Sequence, residues 1–290
     1  MPPGHRTAKS TQKDSGDAEA HIGADHHPSL YRDPSVYDIL HAPGTAEELT
    51  SIEHAAVLTI GKRALSRTAL WLEPACGTGR LLRLNTRRGR RSIGFDLDDS
   101  MIGYAIDRSN ALSQGRRASY LCADMTAFAE PLARVTNTRP MVAMNTINSI
   151  RHLPSDDAMR QHLSEMAGVL SPKGVYIVGL STSGYGIEQP SEDVWKAARG
   201  TVRVTQIVQY EPPADPTTRL ESVTSHLIIE RPSGTEHADS CYALRTYSLE
   251  EWHELIESSS MRIAQVFDAH GDLSDAAVVG YRLYALVPRD

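Results

Sequence analysis

Leu70-Trp71-Leu72-Glu73-Pro74-Ala75-Cys76-Gly77-Thr78-Gly79-Arg80 carries the decisive pattern of this 290-residue chain. An apolar run opening at Ala69 and ending at Glu73 reads as a short buried strand. Gly77 and Gly79 then mark a tight turn, and Arg80 to Arg88 suits a helix that starts at once. Glycines at such a turn allow positive φ and close approach of a ligand, and the helix N-terminus presents unpaired N–H groups. Strand, glycine turn and helix together make a cradle for a nucleotide-like cofactor.

Downstream, the same alternation continues. Strands are expected at Ser92 to Asp96, Ser119 to Cys122, Met141 to Met144 and Val175 to Leu180, with helices at Ser100 to Ser109 and Ser155 to Leu170. Strands separated by helices imply a parallel sheet covered on both faces. Residues 183–245 break the rhythm: Val202 to Tyr210 and Leu220 to Ile229 are strand-like, divided by Pro212-Pro213 and followed by the Pro232-Ser233-Gly234 turn. This reads as an antiparallel β insertion. Residues 246–290 then resume the alternation, with a capping box at Ser248 and Glu251 and strands at Arg262 to Phe267 and Val279 to Val287. Upstream, Thr45 and Glu48 have the spacing of another capping box, opening a helix with Ile52, Ala55, Ala56 and Ile60 on one face. Residues 1–29 are polar and aperiodic, an expected disordered tail in which His5, His21, His26 and His27 have nothing to fix a metal geometry.

Composition narrows the function classes. Thirty Lys and Arg against 36 Asp and Glu give a formal net charge of −6, a poor match to nucleic acid. The three cysteines, Cys76, Cys122 and Cys241, lie far apart without CxxC spacing, so neither a disulfide framework nor a metal site is expected. No apolar stretch reaches the length of a membrane-spanning helix, and a reducing cytoplasm is the expected setting.

Two carboxylates extend the cradle. Asp96 ends the second strand, where an acid can accept both hydroxyls of a ribose. Asp124 follows the third, within reach of an adenine amino group. A nicotinamide turn wants a third small residue, but that position is Leu82; a phosphate loop wants GxxxxGK[ST], and no Lys follows Gly79.

As a set, Leu72-Glu-Pro-Ala-Cys-Gly-Thr-Gly-Arg80, Ile93-Gly-Phe-Asp96-Leu-Asp-Asp-Ser-Met101 and Ala123-Asp124-Met125 resemble the class I S-adenosylmethionine-dependent methyltransferases. The likeness covers roughly residues 30–181 and 246–290. It implies a Rossmann-like α/β fold whose seven-stranded sheet has its last strand antiparallel, with S-adenosylmethionine at the C-terminal ends of the early strands. By position, Glu73 orders the glycine loop, Gly77 and Gly79 line the methionine moiety, and Ala75 and Cys76 are further cofactor positions. Asp96 holds the ribose, Leu97 and Met101 flank the adenine, and Asp124 meets its amino group beside Met125. Asn145 faces the cofactor amino group or the acceptor, and Tyr31 and Tyr37 are the aromatic residues that close over the cofactor.

Methyl transfer from a sulfonium demands in-line placement and exclusion of water more than acid or base, so catalytic residues are faint in sequence. His152 is the best-placed titratable group. Tyr185, Tyr210, His226, Arg245 and Tyr247 are candidates to line an acceptor pocket from the insertion. The [DN]PP[YFW] motif of enzymes acting on base amino groups is missing, and Asn145-Thr-Ile-Asn148 stands in its place. The run Arg87-Arg-Gly-Arg-Arg91 suits a solvated helix end. The expected function is methyl transfer to nitrogen or oxygen of a small molecule. A cofactor sensor, an inactive partner subunit and a methyltransferase with a macromolecular acceptor fit the same residues.

Overall fold

The computed structural model describes residues 29–113, 117–275 and 279–289. The expected tail, with its histidines, lies outside these residues except for Ser29, which opens a 3-10 turn, Ser29–Arg32. Two helices follow, α1 (Pro34–Leu40) and α2 (Thr45–Ile60). Then come β1 (Leu70–Pro74), α3 (Arg80–Arg87), β2 (Arg91–Asp96), α4 (Asp99–Asn110), β3 (Ser119–Cys122), α5 (Ala129–Val135), β4 (Val142–Asn145), α6 (Asp156–Val169) and β5 (Val175–Thr182). The chain continues through β6 (Ser191–Arg199), β7 (Val202–Glu211), β8 (Leu220–Arg231) and β9 (Gly234–Arg245). It ends with α7 (Leu249–Glu257), β10 (Met261–Phe267) and β11 (Gly280–Pro288).

Seven strands form one sheet in the order β10-β11-β5-β4-β1-β2-β3, and β6 to β9 form a second, antiparallel sheet. In the large sheet β1 to β5 run parallel, and β11 lies antiparallel to both β5 and β10. The fold is therefore the expected one. Because strand order reverses between β1 and β4, a crevice opens beyond their C-terminal ends, where ligands of such sheets bind.

Every residue of β1 is buried. Successive side chains of a strand point to opposite faces. Leu70 and Leu72 accordingly join the core with Phe95, Phe128, Leu163 and Met166, while Trp71 joins the opposite one with Leu49, Ile52, Leu82 and Ile177. Burial on two faces is why this strand reads as an uninterrupted apolar run. The antiparallel sheet uses one face only: Val204, Leu227 and Ile229 pack on Val36, Ile39 and Leu40 of α1. Helix α1 is thus held between the second sheet and the crevice of the first.

Two local expectations are corrected. The capping box at Thr45 is absent, because Gly44, at φ 75°, is the N-cap and Thr45 is already helical. Thr45 Oγ1 instead donates to the Ala42 carbonyl at 2.8 Å, and the Glu48 carboxylate pairs with Arg80 at 2.5 Å. The insertion holds four strands rather than the two with an apolar signature. β6 and β9 are largely polar and owe their conformation to pairing with β7 and β8. The Ser248–Glu251 capping box is present at the start of α7.

Candidate active site

Between β1 and α3 the backbone takes positive φ at Ala75 (50°), Gly77 (50°) and Gly79 (71°). The loop is tied to the neighbouring strand: Cys76 N donates to the Phe95 carbonyl at 2.9 Å, and Gly77 N donates to Asp96 Oδ2 at 2.8 Å. Asp96 Oδ1 accepts from Asp98 N at 3.1 Å, and Asp98 caps α4. Burial raises the Asp96 acid above its ordinary range, against the pull of these backbone donors. A Cβ on Gly94 would stand 2.3 Å from Leu82 Cδ1 and 2.8 Å from Cys76 Sγ. The strand, not the helix, therefore supplies the space for close helix–strand packing, and this is how the loop tolerates Leu82 as its third position.

A cavity of about 530 Å³ opens over this loop. Tyr31 and Tyr37 roof it, Ala75 and Gly77 form its floor, and Asp96, Leu97, Met101, Asp124 and Met125 line its far end. Leu97 is 65% exposed there while Met101 is buried. Asp124 Oδ1 accepts from Thr126 N at 2.6 Å, turning the chain so that Met125 faces inward. The buried His162 ring fixes that turn from behind, with Nδ1 2.9 Å from the Met125 carbonyl and Nε2 2.9 Å from the Tyr176 hydroxyl. Sequence reasoning passed over His162 because it lies inside α6, with nothing local to mark it.

A small recess adjoins the cavity, lined among others by Glu73, Cys76, Arg80 and Asn145. Asn145 Nδ2 donates to the Pro74 carbonyl at 3.0 Å, leaving its Oδ1 buried without a donor. Glu73 Oε2 is likewise buried and unpartnered, and burial holds its acid well above the usual range. Glu73 and Asn145 thus bring two unpaired buried oxygens into one recess, beside the Arg80 guanidinium, where a polar ligand group would remove the cost of leaving them unpaired. Gly79 lines neither space. A Cβ there would lie 2.6 Å from the Tyr120 ring, so this glycine serves the turn and its packing.

His152 stands where the first cavity meets another of about 510 Å³, sharing that boundary with Tyr31, Tyr37 and Ser149. Its ring stacks on Tyr242 at 5.9 Å between centroids, and its Nε2 lies 3.4 Å from the Tyr31 hydroxyl. Burial, with Arg151 beside it, lowers the imidazole pKa to about 4. The second cavity runs along the inner face of the antiparallel sheet, past Trp195, Gln206, Tyr210, Glu221 and Tyr242. Glu221 is paired with Arg151 at 2.6 Å. His41, on the opposite wall against Trp195, is held neutral by burial and by Arg80, its pKa lowered to about 3.

Of the five insertion candidates, Tyr210 alone lines this cavity. Tyr185 bonds Thr246 and Glu251, and Arg245 pairs with Asp156. His226 pairs with Asp239, and Tyr247 is a core residue beneath the Arg219 guanidinium. Trp195, Glu221 and Tyr242 were missed; they sit on strands whose pairing cannot be read locally. In the Arg87–Arg91 run, Arg88 and Arg90 both pair with Glu53, and Arg90 covers the Trp71 ring.

Residues 72–174 match the family model of a methyltransferase domain. A sequence search of curated proteins found no significant match. Among solved structures the chain is similar to DesVI of Streptomyces venezuelae, at 17% identity and TM-score 0.67 over 88% of this chain and 96% of that one. It is also similar to the sugar N-methyltransferase KedS8 of a Streptoalloteichus species, at 16% identity and TM-score 0.66 over 99% and 100%. A third is SAM-bound CalS10, an amino pentose methyltransferase from Micromonospora echinaspora, at 16% identity and TM-score 0.56 over 81% and 91%. These likenesses concern the fold. The methyltransferase match over residues 72–174 agrees with the sheet order, the glycine loop and the acids that follow it, and together these support the class I S-adenosylmethionine-dependent methyltransferase resemblance read from the sequence.

Proposed function

We propose that the chain methylates an amino nitrogen of a small polar molecule, with the acceptor seated in the cavity between α1 and the antiparallel sheet. When bound, S-adenosylmethionine supplies a methyl group already activated on a sulfonium. The orphaned Glu73 Oε2 and Asn145 Oδ1 suit its ammonium group, and Ala75, Cys76 and Gly77 form the floor beside them. Asp96 suits the ribose, Leu97 and Met101 the adenine faces, and Asp124 with Met125 the adenine edge. Tyr31 and Tyr37 close the roof and exclude water. In this reading residues 183–245 are the acceptor lid, and residues 246–290 complete the core sheet begun by 30–182.

One observation favours nitrogen over oxygen. The two imidazoles lining the acceptor cavity, His41 and His152, are both held far below the ordinary histidine pKa, and Glu221 is tied to Arg151. These three groups cannot take a proton readily from a hydroxyl, and the one other carboxylate in the lining, Asp193, is a far weaker base than an alkoxide, whereas an uncharged amine attacks without losing a proton first. His152, neutral and at the junction, orients the nitrogen by accepting an N–H and leaves the lone pair for the methyl carbon. The names of KedS8 and CalS10 agree with an amine-bearing sugar as acceptor.

The test is release of S-adenosylhomocysteine from S-adenosylmethionine in the presence of paired amino and hydroxy sugars. Turnover with the amino compounds, rising with pH as the free amine is populated, is the expected result. Turnover with hydroxyl acceptors alone would overturn the nitrogen assignment.

A further inference from the structure

Asp38, on α1, is 1% exposed, and its carboxylate gathers donors from four separate parts of the fold. Oδ1 accepts from Arg83 Nη2 on α3 at 2.5 Å and from Thr78 Oγ1 in the glycine loop at 3.0 Å. Oδ2 accepts from the Tyr104 hydroxyl on α4 at 3.2 Å, pairs with Nη2 of Arg199, the last residue of β6, at 2.9 Å, and lies 3.8 Å from Arg108 Nε on α4. Arg199 also donates to the Asp38 carbonyl at 3.1 Å, and Arg83 Nη1 donates to the Thr78 carbonyl. Burial alone would raise the Asp38 acid, but the Arg83 and Arg199 guanidiniums outweigh it and keep the group ionised.

Both flanks of this carboxylate lead to a cavity. Tyr37, the preceding residue, lies on the glycine loop: a Cβ built on Gly77 would be 3.3 Å from its ring. Tyr37 lines both cavities. Strand β6, which ends in Arg199, carries Asp193 and Trp195 into the acceptor wall. A buried ion pair is weak support for stability compared with apolar packing, and its best-attested use is to fix relative placement.

We propose that Asp38 is a positioning residue that couples the two cavities. One carboxylate is gripped by the glycine loop through one oxygen and by β6 through the other, so a shift of β6 moves α1 and carries Tyr37 off Gly77. Occupation of the cofactor cavity in turn steadies β6, as reciprocity of coupling requires. Arg199 lines neither cavity, so the coupling predicts that its loss weakens cofactor binding without removing any contact to the ligand. This inference rests on the reading of the first cavity as the cofactor site.

The experiment uses the full chain and S-adenosylhomocysteine as the probe. Its dissociation constant is measured by calorimetry for the parent, Arg199→Gln, Arg199→Lys and a control, Arg88→Gln, whose guanidinium pairs with Glu53 at 2.6 Å away from both cavities. Arg199→Gln is expected to raise the dissociation constant about 5- to 30-fold, Arg199→Lys to recover most of the loss, and Arg88→Gln to leave it unchanged. Hydrogen exchange supplies a readout that mere destabilisation does not move: the probe protects the amides of β6 in the parent and not in Arg199→Gln. A dissociation constant for Arg199→Gln within about twofold of the parent, or equal protection of β6 in both proteins, overturns the coupling alone. Failure of the parent to bind the probe overturns the cofactor assignment and the coupling with it.

Discussion

Asp96 holds Gly77 N and Asp98 N, and so organises the cofactor loop from its own strand end. Asp96→Ala removes these bonds together with those proposed to the ribose. Binding of S-adenosylhomocysteine should weaken by roughly 1–3 kcal/mol, about one to two orders of magnitude by calorimetry. At His152 the expected pattern is the reverse. The imidazole sits at the boundary between the cavities and is proposed to orient the acceptor, so His152→Ala should lower kcat by about 10²-fold while leaving cofactor affinity within about twofold of the parent. Steady-state kinetics beside calorimetry separates these effects, and equal loss in both would return His152 to a packing role. Of the two loop glycines, Gly77 lines the first cavity beneath Tyr37 and Gly79 faces Tyr120. The motif marks both alike, since it records only where the backbone turns left-handed.

At the scale of elements, the approach of α3 to β2 sets the shape of the loop between β1 and α3. Gly94→Val would drive a side chain into Leu82 and Cys76, and overpacking of this kind costs about 1–3 kcal/mol. Both the denaturation midpoint and cofactor affinity should fall. Ser248→Ala tests an element remote from both cavities. It removes the reciprocal cap of α7 and should cost about 1 kcal/mol in chemical denaturation with turnover preserved. The parallel strands and their helices were legible in sequence because each carries its own period and its own caps. The strands β6 and β9 were not, because polar residues such as Glu192, Lys196, Glu236 and Asp239 take extended conformation here only through the ladders to β7 and β8. At Thr45 a locally correct pattern lost to a tertiary competitor: Arg80 engages the Glu48 carboxylate that a capping box would have used.

Across the whole molecule, acid should act through the buried imidazoles. Burial lowers the pKa of His162 from 6.5 to about 4, and that of His41 and His152 to about 3 and 4. Between pH 6.5 and 4 the unfolded chain therefore binds more protons than the folded one, so stability is full above pH 6.5 and falls as pH drops toward 4. His162 alone should account for a loss of about 3 kcal/mol between pH 7 and pH 4. Denaturant titrations across that range, compared with His162→Gln, check this: the variant should show the shallower slope. Much of the lining of the first cavity was written in the sequence because its parts follow strand ends in chain order, where one local pattern of glycine turn and acid repeats the geometry of the fold. The lining of the second cavity was legible only in part: Tyr31, His152 and Tyr210 were named singly, whereas His41, Trp195 and Tyr242 were not, and nothing showed that the six meet. Tyr31, His41, His152, Trp195, Tyr210 and Tyr242 come from α1 and its preceding turn, the turn after β4, and strands β6, β7 and β9. No spacing along the chain relates them, and they meet only because α1 packs between two sheets. The Asp38 carboxylate is the extreme case, since its partners at 78, 83, 104 and 199 converge only once that packing has formed.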